Sequence, residues 1–186
     1  MTQRFCKFVL KAAGWTIVGE KVKEKNCVIL EAPHTSIWDF LIGYMYYRAV
    51  GGHLTVMIKK EAFIFPFSFI IRAMGGFPID RKHPQATVTH IIHEMESGRK
   101  KPFHLVICPE GTRKAVHKWK TGYHTIAAQA GIPVYLSFVD WGHKRVGIHC
   151  RFEPLSGNAR EDTDRIQHIY ESLNLIAKYP EDYVTR

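Results

Sequence analysis

The stretch Cys27-Val28-Ile29-Leu30-Glu31-Ala32-Pro33-His34-Thr35-Ser36-Ile37-Trp38-Asp39 holds the first clue to the architecture. Residues 27–32 form a short apolar run of the kind a buried strand presents. Residues 36–49 read as a helix with Asp39 in its first turn, and a polar loop carrying His34 joins the two. Strand, loop and helix in succession are the building unit of α/β sheets.

The pattern recurs along the chain. Further strands are expected at 54–59, 77–80, 103–108, 133–140 and 145–152. Helical patterns lie at 3–12, 61–73, 84–97, 121–130 and 162–178. In 84–97, Val88, Ile91, Ile92 and Met95 recur at helical spacing. Gly131 suits a left-handed cap after 121–130. In 162–178, Ile166, Ile169, Tyr170, Leu173, Ile176 and Ala177 are expected to face the core. With 186 residues and no repeat or linker, the expectation is one domain spanning 1–186. Its fold class is α/β, with a mixed, largely parallel central sheet flanked by helices.

Polar blocks follow the strand ends, where open α/β sheets tend to place ligands. If the loop after residue 32 folds back, Asp39 can accept a hydrogen bond from one imidazole nitrogen of His34 and leave the other free as a base. Equally, Asp39 could complement the helix dipole, with His34 an ordinary loop residue. A second block, Cys108-Pro109-Glu110-Gly111-Thr112-Arg113, offers a glycine turn, backbone amides and a guanidinium suited to phosphate or carboxylate. It also fits a plain polar turn in which Glu110 pairs with Arg113. Between the two lies Gly75-Gly76-Phe77-Pro78-Ile79-Asp80-Arg81, whose Arg81 either reaches the same pocket or closes a strand-end ion pair. Lys120-Thr121-Gly122 opens a helix whose N-terminus can attract an anion.

Taken in order, HxxxxD at 34–39, GGFPIDR at 75–81, PEGTR at 109–113, Lys-x-Gly at 120–122 and Ile-Pro-Val at 132–134 resemble the glycerolipid acyltransferases. That family includes lysophosphatidic acid acyltransferase. The resemblance spans about residues 15–155 and includes Lys60-Glu61, similar to a Lys-Glu element of the family. It implies a glycerol-3-phosphate acyltransferase-like fold and transfer of a fatty acyl group from acyl-CoA or acyl carrier protein to a hydroxyl. The implied acceptor is a lysophospholipid such as 1-acyl-sn-glycerol 3-phosphate, as in phospholipid biosynthesis.

On this resemblance His34 is the base, and Asp39 orients it. Glu110, Gly111, Thr112 and Arg113 belong to acceptor recognition, with Arg81 and Lys60 adding positive charge. No metal, cofactor or covalent acyl-enzyme is implied. Members often carry Asn before the histidine, where this chain has Pro33. Other acceptors compatible with the same chemistry are glycerol 3-phosphate, a lyso-ornithine lipid or a glycolipid.

Charge bears on partners. Lys and Arg number 26 against 17 Asp and Glu, a net +9 that favours an anionic partner. Membrane surface, acidic carrier protein and CoA phosphates all qualify. The basic and aromatic residues do not form an RNA-binding signature or a basic stripe, so nucleic acid is not expected. A basic non-catalytic module binding lipid or nucleic acid is the contrasting reading. Cys6, Cys27, Cys108 and Cys150 lack metal-ligand spacing and read as reduced, which suggests a cytoplasmic setting.

No apolar run reaches the ~20 residues of a spanning helix. Residues 1–14 contain an amphipathic pattern, Phe5, Phe8, Val9 and Ala12 against Arg4, Lys7 and Lys11. It suits either an interfacial helix or one packed on the domain. The greasy run Phe63–Ile71 is core, acyl-chain wall or membrane-dipping surface. Together these features lead to the expectation of a peripheral protein on the inner face of the membrane.

Overall fold

The computed structural model describes residues 2–79, 83–97, 102–153 and 155–185. Its centre is a seven-stranded sheet in the order β1-β7-β6-β2-β5-β3-β4. The strands are β1 (Thr16–Val18), β2 (Asn26–Glu31), β3 (Leu54–Lys59), β4 (Gly76–Ile79), β5 (Phe103–Ile107), β6 (Val134–Asp140) and β7 (Arg145–Phe152). Every pairing is parallel except β6 with β7. This is the mixed, largely parallel α/β sheet expected from the alternating pattern.

The helices are α1 (Gln3–Ala12), α2 (Ile37–Ala49), α3 (Phe67–Ala73), α4 (Pro84–Glu96), α5 (Gly122–Ala130) and α6 (Ala159–Ser172). They cover both faces, so each central strand must be apolar on both sides. Strand β2 shows why. Val28 and Leu30 join a core with Ile91, Ile126 and Ile166 from α4, α5 and α6. Cys27 and Ile29 point the other way, to Cys6 and Leu10 of α1 and Met45 of α2. Glu31 is the polar end of that second row.

Three elements depart from expectation. Strand β1 is only three residues long, and its parallel pairing with β7 supplies its partners. The helical stretch expected at 61–73 is a 3-10 turn at Lys60–Ala62 followed by α3 from Phe67. Pro66 lies between them, lacks an N–H and restricts its predecessor. The last helix occupies 159–172 rather than 162–178, because Asn158 accepts from the N–H groups of Arg160 and Glu161 and caps it early.

Beyond Ser172 the chain turns at Asn174, whose φ is +49°. The Ile176 carbonyl then accepts from the N–H of Trp141 at 2.8 Å. Ile176 is consequently 43% exposed rather than core, whereas Ala177 is buried. Residues 175–183 form a strap that returns across the ends of β2 and β6.

Parallel pairing controls where the polar loops emerge. Leu30 is in register with Ile107, and Glu31 with Ser137. Strands β5, β2 and β6 therefore finish side by side at one edge of the sheet. The loops after them carry Cys108 to Arg113, His34 to Asp39, and Trp141.

Candidate active site

The 33–36 loop is held from below and from the side. The buried Glu110 carboxylate accepts the His34 backbone N–H at 2.9 Å, joining the two sequence blocks directly. Ser36 is the N-cap of α2, and Asp39 completes a capping box with it. Asp39 Oδ2 accepts the N–H groups of Thr35 at 2.8 Å and Ser36 at 2.7 Å. Its Oδ1 accepts the indole Nε1–H of Trp141 at 2.7 Å.

His34 Nδ1 stands 3.7 Å from Asp39 Oδ2. That is ion-pair range, too long for a hydrogen bond, and Nδ1 is buried without a hydrogen-bond partner. Asp39 thus serves the helix N-terminus and faces the imidazole at once. The direct imidazole–carboxylate hydrogen bond expected from spacing is absent, because backbone donors and Trp141 occupy the carboxylate. Asp39 is 1% exposed, so its negative charge acts in a poorly solvated setting.

The electrostatics follow from burial. Burial lowers the His34 pKa below the ordinary imidazole value; Asp39 opposes this and Arg113 adds to it. Burial, helped by Asp39, pushes the Glu110 carboxyl up to about 8, although the hydrogen bond from His34 N–H pulls it down. Glu31, buried beside Asp39 and Glu110, also rises to about 8. Near neutral pH burial thus favours the protonated form of Glu31 and Glu110 and the neutral form of His34.

Beside the His34 loop opens a cleft of about 580 Å³ lined by Thr35, Ser36, Trp38, Thr112 and Arg113 on the loop side. Across it stand Tyr179, Glu181 and Asp182 of the strap. Gly111, at φ +70°, makes the turn that delivers Thr112 and Arg113 to the cleft. Arg113 is exposed there and near enough to His34 to affect its titration. The strap is tied down by Lys114 Nζ to Asp182 at 3.0 Å and by Tyr179 N–H to Thr35 Oγ1 at 3.2 Å.

Of the residues expected from sequence, His34, Asp39, Glu110, Gly111, Thr112 and Arg113 assemble at this edge. Lys60 follows β3 and is exposed, but it does not line the cleft. Arg81 lies outside the described residues. Reading the sequence missed Trp141 and the strap. Trp141 follows a strand end, like the two recognised blocks, and that position was the available signal. The strap had none, since its apolar spacing continues that of α6.

Similarity to known proteins was found in sequence and in structure. The chain is 29% identical over 147 residues to a 1-acyl-sn-glycerol-3-phosphate acyltransferase of Pseudomonas aeruginosa, covering 72% of this chain and 54% of that protein. It is 34% identical over 107 residues to a protein of the same name from Streptococcus pneumoniae, covering 57% and 39% respectively. The chain thus spans about half the length, or less, of the curated relatives it matches. The fold resembles the crystal structure of the 1-acyl-sn-glycerophosphate (LPA) acyltransferase PlsC from Thermotoga maritima, with a TM-score of 0.60 at 17% identity. That match covers 95% of this chain and 80% of the other. A model of the Acyltransferase family matches residues 15–136, from β1 through the His34 and Glu110 loops into β6, and so the chain belongs to the Acyltransferase family.

Proposed function

We propose that this protein transfers a fatty acyl group from a thioester, acyl-CoA or acyl carrier protein, to the hydroxyl of a lysophospholipid, with 1-acyl-sn-glycerol 3-phosphate the leading acceptor. The observation that carries this reading is His34, facing buried Asp39 at 3.7 Å, in a loop whose next residues, Thr35 and Ser36, line a cleft together with Arg113. The names of the curated relatives support the acceptor class.

In this mechanism the free nitrogen of His34 takes the proton of the acceptor O–H. The oxygen attacks the thioester carbonyl carbon, giving a tetrahedral oxyanion. The C–S bond then breaks, and the departing thiolate takes the proton from the imidazolium. Burial keeps His34 neutral and ready to accept, while the Asp39 carboxylate beside it stabilises the imidazolium at the moment it forms. Thr112 and Arg113 hold the acceptor phosphate, with Arg113 the charged donor.

The protein acts at a membrane surface, peripherally and from the cytoplasmic side. Among the described residues no helix is long and apolar enough to cross a membrane. Exposed apolar side chains nevertheless cluster: Phe65 is 93% and Phe69 80% exposed, with Ile64 and Ile70 beside them. Helix α1 packs inward through Cys6 and Leu10 yet leaves Phe5 and Phe8 outside. A net charge of +9 favours an anionic leaflet.

The test is thiol release from acyl-CoA and from acyl carrier protein, with and without lysophosphatidic acid, for the wild type and His34→Ala. Acceptor-dependent release that His34→Ala abolishes in a folded variant is expected. Equal release by both proteins, or none with any lysolipid, would overturn the proposal.

A further inference from the structure

The edge of the sheet holds a group of side chains that acyl transfer does not use in full. Glu31 closes β2, and Cys108 directly follows β5. Because Leu30 and Ile107 are in register on adjacent parallel strands, Glu31 and Cys108 are neighbours by backbone pairing alone. His34, three residues past Glu31, turns back over them. One ligand-capable atom from each of Glu31, His34 and Cys108 lies within 4.8 Å of the other two. Among the described residues no other three His, Cys, Asp or Glu side chains lie so close.

Protein partners leave polar atoms unsatisfied here. Glu31 is 6% exposed, at the end of a strand whose other buried residues are apolar. His34 Nδ1 is buried and unpaired, as is Glu110 Oε2 nearby. Buried polar atoms normally find partners. Gly43 of α2 leaves room for Glu31: a Cβ there would fall well inside contact distance of Glu31 Oε2. The carboxyl is thus accommodated by a deliberate lack of side chain above it.

We infer that Glu31, His34 and Cys108 form a binding site for a thiophilic divalent cation of the zinc class. A carboxylate oxygen, an imidazole nitrogen and a thiolate are all ligands zinc accepts, with a fourth position left for water. Tetrahedral bonds of about 2.0–2.3 Å place ligand atoms roughly 3.3–3.6 Å apart, so the three side chains must close by about 1 Å. Binding releases the Cys108 proton, and the proton of Glu31 where that carboxyl is protonated, to solvent as thiolate and carboxylate join the metal.

The metal is an off-switch rather than a cofactor. Bound at His34, it draws the imidazole away from proton transfer. That consequence rests on the role proposed for His34 in acyl transfer. The site itself does not, since it follows from three neighbouring ligand atoms.

The experiment uses the full chain, reduced and freed of chelator, titrated with cobalt(II) as a visible substitute for zinc(II). A near-ultraviolet thiolate-to-cobalt absorption band that zinc displaces is expected. Cys108→Ser should remove the band, and Glu31→Gln should weaken cobalt binding at least about tenfold. In the acyl-transfer assay, zinc should inhibit the wild type reversibly, with chelator restoring the rate. Cys108→Ser should keep the metal-free rate and need at least about tenfold more zinc for half inhibition.

A folded wild type with no cobalt band overturns the site, as does a band that survives Cys108→Ser. Equal zinc inhibition of wild type and Cys108→Ser overturns the switch. A zinc-displaceable band in a protein that moves no acyl group would uphold the site and sink the acyltransferase reading instead.

Discussion

Asp39 and Trp141 stand 102 positions apart in the chain, and the Trp141 indole donates to Asp39 Oδ1 at 2.7 Å. The bond joins the start of α2 to the end of β6. It completes a set of three donors that hold the carboxylate facing His34. Trp141 is itself clamped, with Lys178 Nζ 4.1 Å from its ring centroid and Trp15 packed edge-on at 5.0 Å. It acts on the reaction only through Asp39.

Replacing Trp141 with Phe keeps most of the packing and removes the donor. The predicted outcome is a kcat lower by about tenfold, equivalent to roughly 1.4 kcal/mol in the barrier, with KM little changed. Steady-state kinetics on a folded variant separates the two. A change confined to KM would place Trp141 in acceptor binding instead.

The rate of acyl transfer should fall on the acid side as His34 takes up a proton. Since burial and Arg113 outweigh Asp39, that limb lies below the ordinary imidazole value of 6.5. Asp39→Asn removes the one influence that raises the His34 pKa. It should therefore shift the limb further down while lowering the maximum rate. A pH–rate profile of kcat/KM for both proteins checks the direction.

Stability should vary with pH through Glu31. Its folded pKa of about 8 stands above its ordinary value of 4.5, so the folded state binds the extra proton between those two values. The contribution is full below 4.5, declines as pH rises, and is lost above about 8. Glu31→Gln, which stays neutral, should flatten the fall in Tm between about pH 5 and pH 8 by several degrees. Parallel Tm curves for wild type and variant would contradict this.

The exposed aromatic cluster predicts a membrane effect. Phe65→Ser with Phe69→Ser should weaken binding to vesicles containing anionic lipid by at least about tenfold, because each buried Phe contributes roughly 1.5–3 kcal/mol. Turnover of a water-soluble short-chain acceptor should be unchanged. Vesicle co-sedimentation and that assay together distinguish docking from misfolding.

Much of this architecture could be read from local patterning. The runs CVILEA and FHLVIC are strands because both faces of the central sheet are covered, and that demands uninterrupted apolar residues. The left-handed turn at Gly131 and the Asp39 first turn of α2 were legible for the same reason, as they depend on neighbours a few residues away. The polar blocks after β2 and β5 were also visible, since proline, glycine and charge interrupt the pattern there.

Contacts that depend on strand order were not legible. Strand β1 is too short to show a period and exists through its pairing with β7. The end of α6 is hidden because the apolar spacing runs on, while the Ile176 carbonyl bonds to the end of β6. The hydrogen bond from Trp141 to Asp39, the join of Glu110 to the His34 loop, and the crowding of Glu31 against Cys108 all span more than 70 positions. Local periodicity reflects how each segment buries one stripe or face. Which side chains meet depends on the order and direction in which the strands pair, and no single segment carries that information.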